Sequence, residues 1–215
     1  MNQEIPSTSG SNHFTDKQIF TKIWKSPRQV FKFINETKYD KYVYILLFFA
    51  GIARAFDQAT IKDMGDNMSL WTIIGICVIG GGLLGWLAYY IYAALLGWTG
   101  KWLDGKGDTN SILRVLGYAL IPSVIALVFL IPQIGIYGIE MFKADGDISS
   151  AGLIPNILVY GSMVIELILG IYTLVFLVIS VSEVQKLSIG KSILNLILPI
   201  LVFAVPIILI ALFLK

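Results

Sequence analysis

The chain has 215 residues, 56% of them hydrophobic and only 14% charged, with a mean hydropathy of +0.77 and a formal net charge of +2. Soluble domains carry about 25% charged residues, so a soluble single-core enzyme is excluded, and so small a positive balance argues against a nucleic-acid partner. A single cysteine, Cys77, leaves no disulfide framework and no cysteine-based zinc cluster.

The charges are unevenly placed, with eleven in residues 1–41 and nineteen in the remaining 174. Residues 1–14 are polar and lack the apolar stretch of a signal peptide, so a disordered tail is expected, with the one histidine, His13, solvated. Residues 15–41 form an amphipathic unit ahead of the first apolar run. Thr15 with Gln18 has the spacing of a capping box, and Ile19, Phe20, Ile23 and Trp24 fall on one helical face. Ser26-Pro27 then restarts a helix with Ser26 as N-cap, and Val30, Phe31 and Ile34 supply its apolar side. With Lys22, Lys25, Arg28 and Lys32 on the other side, this unit suits an anionic membrane surface, a docked partner, or packing beneath a bundle.

Five stretches are apolar enough to cross a bilayer, which needs about 20 residues of helix because each backbone amide must be satisfied within the segment. They run from about Tyr42 to Ala59, Trp71 to Trp98, Leu113 to Met141, Pro155 to Ser182 and Ile193 to Leu214. The fold class expected is therefore all-α: a five-span helix bundle over residues 42–215, preceded by a cytoplasmic amphipathic segment. Twelve Lys and Arg residues fall in the N-terminal segment and the second and fourth loops. Only Lys62, Lys143 and Lys215 fall on the other side. Positive residues are retained on the cytoplasmic side, so the N-terminus is expected inside and the C-terminus outside.

Within the second span, Cys77, Gly81, Gly85, Ala93 and Gly97 follow a four-residue spacing that only Tyr89 interrupts. Gly51, Ala55 and Ala59 repeat it in the first. Small residues at this spacing let two helix backbones approach closely, either between spans one and two or between two copies of the chain. Pro122, Pro132, Pro199 and Pro206 are expected to break spans three and five. The GKWLDGKGD run of the second loop lacks the spacing of a phosphate cradle and reads as a turn.

Arg54, Asp57 and Glu166 lie inside apolar spans, where a charge costs about 2.5–3.5 kcal/mol on insertion scales. Counted along the helices from opposite faces, Arg54 and Glu166 come to the same depth, and Asp57 lies one turn from Arg54. The three residues are the candidate polar site: an Arg54–Glu166 clasp, a polar cavity for a proton, ion or headgroup, or a protonated, inert Glu166. Arg114 and Glu183 are expected at the membrane boundary. Catalytic motifs are absent from the sequence, no cofactor is expected, and the chain is read as a non-enzyme.

Three passages together resemble the Yip family, the Ypt/Rab-interacting multi-pass membrane proteins. They are SPRQVFKFI (26–34), the loop-to-span passage in which Gly117-Tyr118 is followed by Pro122, and the end of span four with Glu183 leading through Lys191 into span five. The resemblance implies five spans, a cytoplasmic N-terminus and a membrane-organising or trafficking-like role. Eukaryotic members bind small GTPases through a longer N-terminal region. Here that region is short and lacks their Asp-Leu-Tyr-Gly-Pro-like signature, so a small GTPase is not expected. The short form is similar to prokaryotic members, which implies a cytoplasmic membrane. The partners expected are the lipid bilayer, together with a membrane protein or a second copy. A small transporter, channel or lipid-handling protein is the alternative.

Overall fold

A computed structural model describes residues 14–148 and 152–213, and every regular element among them is helical. The expected tail, residues 1–13 with His13, lies outside the described residues, as do 214 and 215 at the end of span five. Phe14, read from sequence as part of that tail, belongs to the fold. Its ring meets Phe33 edge-on at 5.1 Å, and Lys22 Nζ stands 4.8 Å from its centre.

Two short helices come first, α1 (Asp16–Lys22) and α2 (Pro27–Glu36). Both halves of the capping box form at Thr15 and Gln18. Ser26 occupies the N-cap position before Pro27, but its hydroxyl makes no capping bond. The apolar face of the pair is used up within the protein. Ile19, Ile23, Val30, Phe31 and Ile34 are each 0% exposed, packed beneath the bundle and not laid into lipid. Trp24 meets Tyr172 at 5.4 Å and Phe176 at 5.5 Å, and Phe31 meets Phe176 at 6.1 Å. All seven Lys and Arg residues from Lys17 to Lys41 stay exposed.

Five helical runs are long and apolar enough to cross a membrane. Span one is α3 (Val43–Ile61). Span two joins α4 (Leu70–Gly75), a π-helical turn (Ile76–Gly81) and α5 (Gly82–Lys101). Span three joins α6 (Thr109–Ala119), α7 (Ile121–Tyr137) and a closing 3-10 turn (Gly138–Phe142). Spans four and five are α8 (Leu153–Gln185) and α9 (Ile189–Phe213). The 19 residues of α3 rise about 28 Å, close to the hydrocarbon thickness of a bilayer. The 33 residues of α8 are too long for that slab. Its last turns, from Tyr172 onward, carry α2 and Trp24, which links α1 to it.

The expected proline breaks are mostly absent. The helix is interrupted only at Leu120, where Pro122 takes the first turn of α7 and lacks an N–H that would have no partner there anyway. α7 continues through Pro132, and α9 continues through Pro199 and Pro206. One proline removes one rung, while unwinding in hydrocarbon would strand several amides, so the ladder continues past it.

Two apolar clusters hold the spans. The larger lies towards the N-terminal face and includes Tyr118, Phe31, Phe176, Leu47, Leu96 and Ile112. The smaller gathers Ile52, Phe56, Ile73, Cys77 and Phe142 towards the opposite face. Trp71, Ile79, Leu84, Ile131 and Leu167 point outward, 64% or more exposed. An apolar exterior of this extent would be untenable in water and matches lipid tails.

Candidate functional site

The polar groups of the membrane interior lie mainly between spans three and four. Gln133 on α7 donates from Nε2 to Glu166 Oε1 at 2.6 Å and to Ser162 Oγ at 2.7 Å, and Ser162 in turn donates to the Val159 carbonyl at 2.8 Å. One turn further along α7, the Tyr137 hydroxyl donates to Asn156 Oδ1. Gln133 is 2% exposed and Ser162 6%, so these bonds remove a desolvation cost that neither span could meet alone. Glu166 and Asp57 face a small cavity of 50 Å³, which Ala53, Ala126, Leu127 and Leu130 complete.

Arg54 does not join them. Among the described residues it forms no ion pair with Glu166. It faces span two instead, lining a groove with Gly51, Gln58, Gly81 and Gly85 and lying beside the Tyr89 hydroxyl. The reason is angular. Depth along a helix sets which residues are level, but Arg54 and Asp57, three residues apart, sit about 60° apart around the axis. That is enough for Asp57 to face spans three and four while Arg54 faces span two.

The small-residue stripe divides in the same way. Gly81 and Gly85 meet span one so closely that a Cβ on Gly81 would lie 2.5 Å from Ala55 Cβ, and one on Gly85 would lie 2.5 Å from Gly51 Cα. Cys77 belongs to the Phe56 cluster and Ala93 to the larger core. Gly97 lies against α6, where a Cβ would find ordinary contact at 3.6 Å from Ile112 Cδ1. A four-residue stripe drifts about 40° per step around a helix. Over five steps it cannot face one neighbour, so most of it is spent inside the chain.

At the N-terminal face, Gln185 closes a junction that sequence reading missed. It is 0% exposed. Its Nε2 donates to the Leu96 carbonyl at 2.9 Å, its Oε1 accepts from Gly107 N at 3.0 Å, and its carbonyl accepts from Lys106 N at 3.0 Å. Asn195 of span five adds a second bond to the Leu96 carbonyl at 3.2 Å and accepts from Thr99 Oγ1 at 3.1 Å. A Cβ at Gly100, Gly105 or Gly107 would strike Gln185 or its neighbour Val184. The glycines of the GKWLDGKGD loop therefore make room for one glutamine. Their recurrence at 100, 105 and 107 was the available signal.

The rim above this junction is charged. Asp16 accepts from Lys41 Nζ at 2.5 Å, Tyr39 at 2.6 Å and Tyr42 at 2.7 Å, and these bonds hold its carboxyl well below the usual range. Burial and the bond to Asp16 push the Tyr39 phenol up to about 12. Arg114, expected at the boundary, is instead buried with 9% of its side chain exposed, and its Nε donates to Asp40 Oδ1 at 2.5 Å. Glu183 is paired with Lys186 at 2.7 Å. Across the described N-terminal segment and the second and fourth loops, twelve Lys and Arg face six Asp and Glu. The described residues of the opposite face have Lys62 and Lys143 against five acids.

A family model of the Yip1 domain matches residues 21–210, from the last turn of α1 into α9. The chain belongs to the Yip1 family. No curated protein and no solved structure matches it. The Yip1 domain here is a multi-pass integral membrane protein, and its Gly-Tyr-x-x-x-Pro passage has a visible structural use. Gly117 packs on Val43 at the start of span one, with room for a Cβ only at 3.3 Å from the Val43 carbonyl. Tyr118 is fully buried as the seat for Phe20 and Tyr39, and Pro122 opens α7. The three residues fasten the N-terminal helices and span one to span three.

Proposed function

We propose that this Yip1-family protein is a non-enzymatic membrane-organising module that binds a partner through the basic cap of α1, α2 and the 102–108 loop. One observation carries the reading: the apolar faces of α1 and α2 are spent on the bundle, while Lys17, Lys22, Lys25, Arg28, Lys32, Lys38 and Lys41 remain exposed on that rigid support. Such a cap recognises by charge, with steering that does not require folding on contact. The charge difference between the faces favours a cytoplasmic cap and an outer C-terminus. The partner is a membrane protein or a second copy of the chain. Crosslinking in native membranes, followed by mass spectrometry, tests this. A stoichiometric partner linked through lysines 17–41 is expected, and recovery of unlinked chain alone would overturn the proposal.

A second reading, a small transporter or lipid-handling protein, is favoured by the Glu166–Gln133–Ser162 bonds beside the Asp57 cavity. A volume of 50 Å³ holds a few waters, which suits proton movement better than passage of a solute. Proton flux into liposomes that is lost in Glu166→Gln would support it, and equal flux in both proteins would remove it.

A further inference from the structure

Arg114 is over-endowed for the bond it makes. Its guanidinium has five N–H donors, and the structure uses only Nε, on Asp40. Nη1 is buried without any partner. A buried cationic donor left unmade is costly, and native structures normally satisfy it. Arg114 also lines a cavity of 200 Å³ with largely polar walls, together with Asp40, Val43, Tyr44, Asn110 and Leu113. Asp40 engages one carboxylate oxygen, and its side chain is 59% exposed.

The depth of this cavity is that of a headgroup. It sits where spans one and three begin, beside the 66%-exposed Tyr44 and on the same face as Trp98 and Trp102, which are 47% and 54% exposed. Such aromatics mark the interface between hydrocarbon and water. Further along, the same two spans and span two line an open apolar groove of 610 Å³ on the lipid-facing side, with Phe49, Phe56, Val78, Val124 and Ile131.

The wall charges select among headgroups. Arg114 offers one positive group. Asp40 in the wall and Asp108, close enough to feel the Arg114 charge, offer negative ones. A bare anion would meet the guanidinium only beside carboxylates, and a bare cation would meet Asp40 only beside a guanidinium. A zwitterion with a phosphate and a hydrogen-bonding ammonium satisfies both. We propose that this cavity holds the phosphoethanolamine headgroup of a glycerophospholipid. Its phosphate takes the Nη2 donors of Arg114, the guanidinium nitrogen that is neither bonded nor fully buried, and the Asn110 amide, and its ammonium takes the open oxygen of Asp40. This assignment does not rest on the partner-binding reading.

The test uses the full chain in a neutral detergent with an equimolar mixture of phosphatidylethanolamine, phosphatidylglycerol and phosphatidylcholine, with retained lipid counted by native mass spectrometry. Phosphatidylethanolamine is expected to be enriched about fivefold over the other two, the worth of one net hydrogen bond. Asn110→Asp, at an exposed position that leaves the Arg114–Asp40 pair intact, should abolish retention. Asp40→Asn should shift the preference from phosphatidylethanolamine towards phosphatidylglycerol, a change of selectivity that mere loosening of the fold does not produce. Thermal unfolding of each variant verifies that it is folded. Equal retention of all three lipids by the unaltered chain, or a preference untouched by both substitutions, would overturn the proposal. Displacement of the lipid by soluble O-phosphoethanolamine would assign the site to a soluble ester and overturn the lipid assignment.

Discussion

Gln185 and Asp16 each join segments that are far apart in the chain, and neither stands out in a hydropathy profile. Gln185 sits at the end of the longest helix and is bonded to span two and to the loop that follows it. Gln185→Ala strands the Gly107 amide and opens a hole among three glycines, so a loss of about 2–4 kcal/mol is expected. Reversible unfolding in mixed micelles would measure it, and a loss within error would show that the loop holds without the glutamine. Asp16 has a carboxyl held down by Lys41, Tyr39 and Tyr42, so its contribution is full above the ordinary carboxylate value of 3.8. It disappears only as pH falls through the depressed folded value. A nitroxide at Lys25→Cys, in a Cys77→Ser background, should therefore report a docked α1–α2 unit from neutral pH down to about 4. Its mobility should increase only in stronger acid. In Asp16→Asn the label should be more mobile at neutral pH and should lose this acid transition. Both residues were unreadable in sequence for one reason. A single polar side chain acquires its role from partners 23 to 89 positions away.

Between elements, the seam of spans one and two is the contact that small-residue spacing foretold best. Gly81 and Gly85 against Gly51 and Ala55 bring backbones together where no side chain can yield. Gly85→Ala is thus expected to force the spans apart at a cost of about 1–3 kcal/mol. Gly80→Ala, five residues away with its nearest neighbour at 3.9 Å, should be neutral or slightly stabilising, since alanine suits a helix better than glycine. Parallel unfolding curves of the two variants separate packing from propensity, and equal destabilisation would count against the seam. Spacing alone did not reveal where the stripe ends, because its 40° drift carries Gly97 round to α6. Nor did it reveal the π-helical turn at Ile76–Gly81, which ends on Gly81, the first of the glycines that meet span one.

At the scale of the whole molecule, the charges divide the protein into a basic face and an acidic one. Single cysteines at Lys32 and Asp145, both exposed, should react with an impermeant maleimide from opposite sides of sealed membranes. Lys32→Cys is expected to label only from the cytoplasmic side. Labelling of both from one side would refute the five-span threading. The number of spans, the capping of α1 and the meeting of spans one and two were legible in the residues themselves. Hydropathy, periodicity and side-chain size act locally, and a bilayer permits few other ways to satisfy a backbone. The fates of Arg54, Arg114 and the α1–α2 face were not legible. Arg54 turned to span two, Arg114 was drawn in by Asp40, and an amphipathic pair suited to lipid was consumed by Tyr118, Tyr172 and Phe176. Composition and spacing determined which residues are apolar, charged or small and where each lies along its helix. Only the packing of the helices decided their azimuth, because rotation of a helix about its axis leaves every sequence pattern unchanged and alters every neighbour.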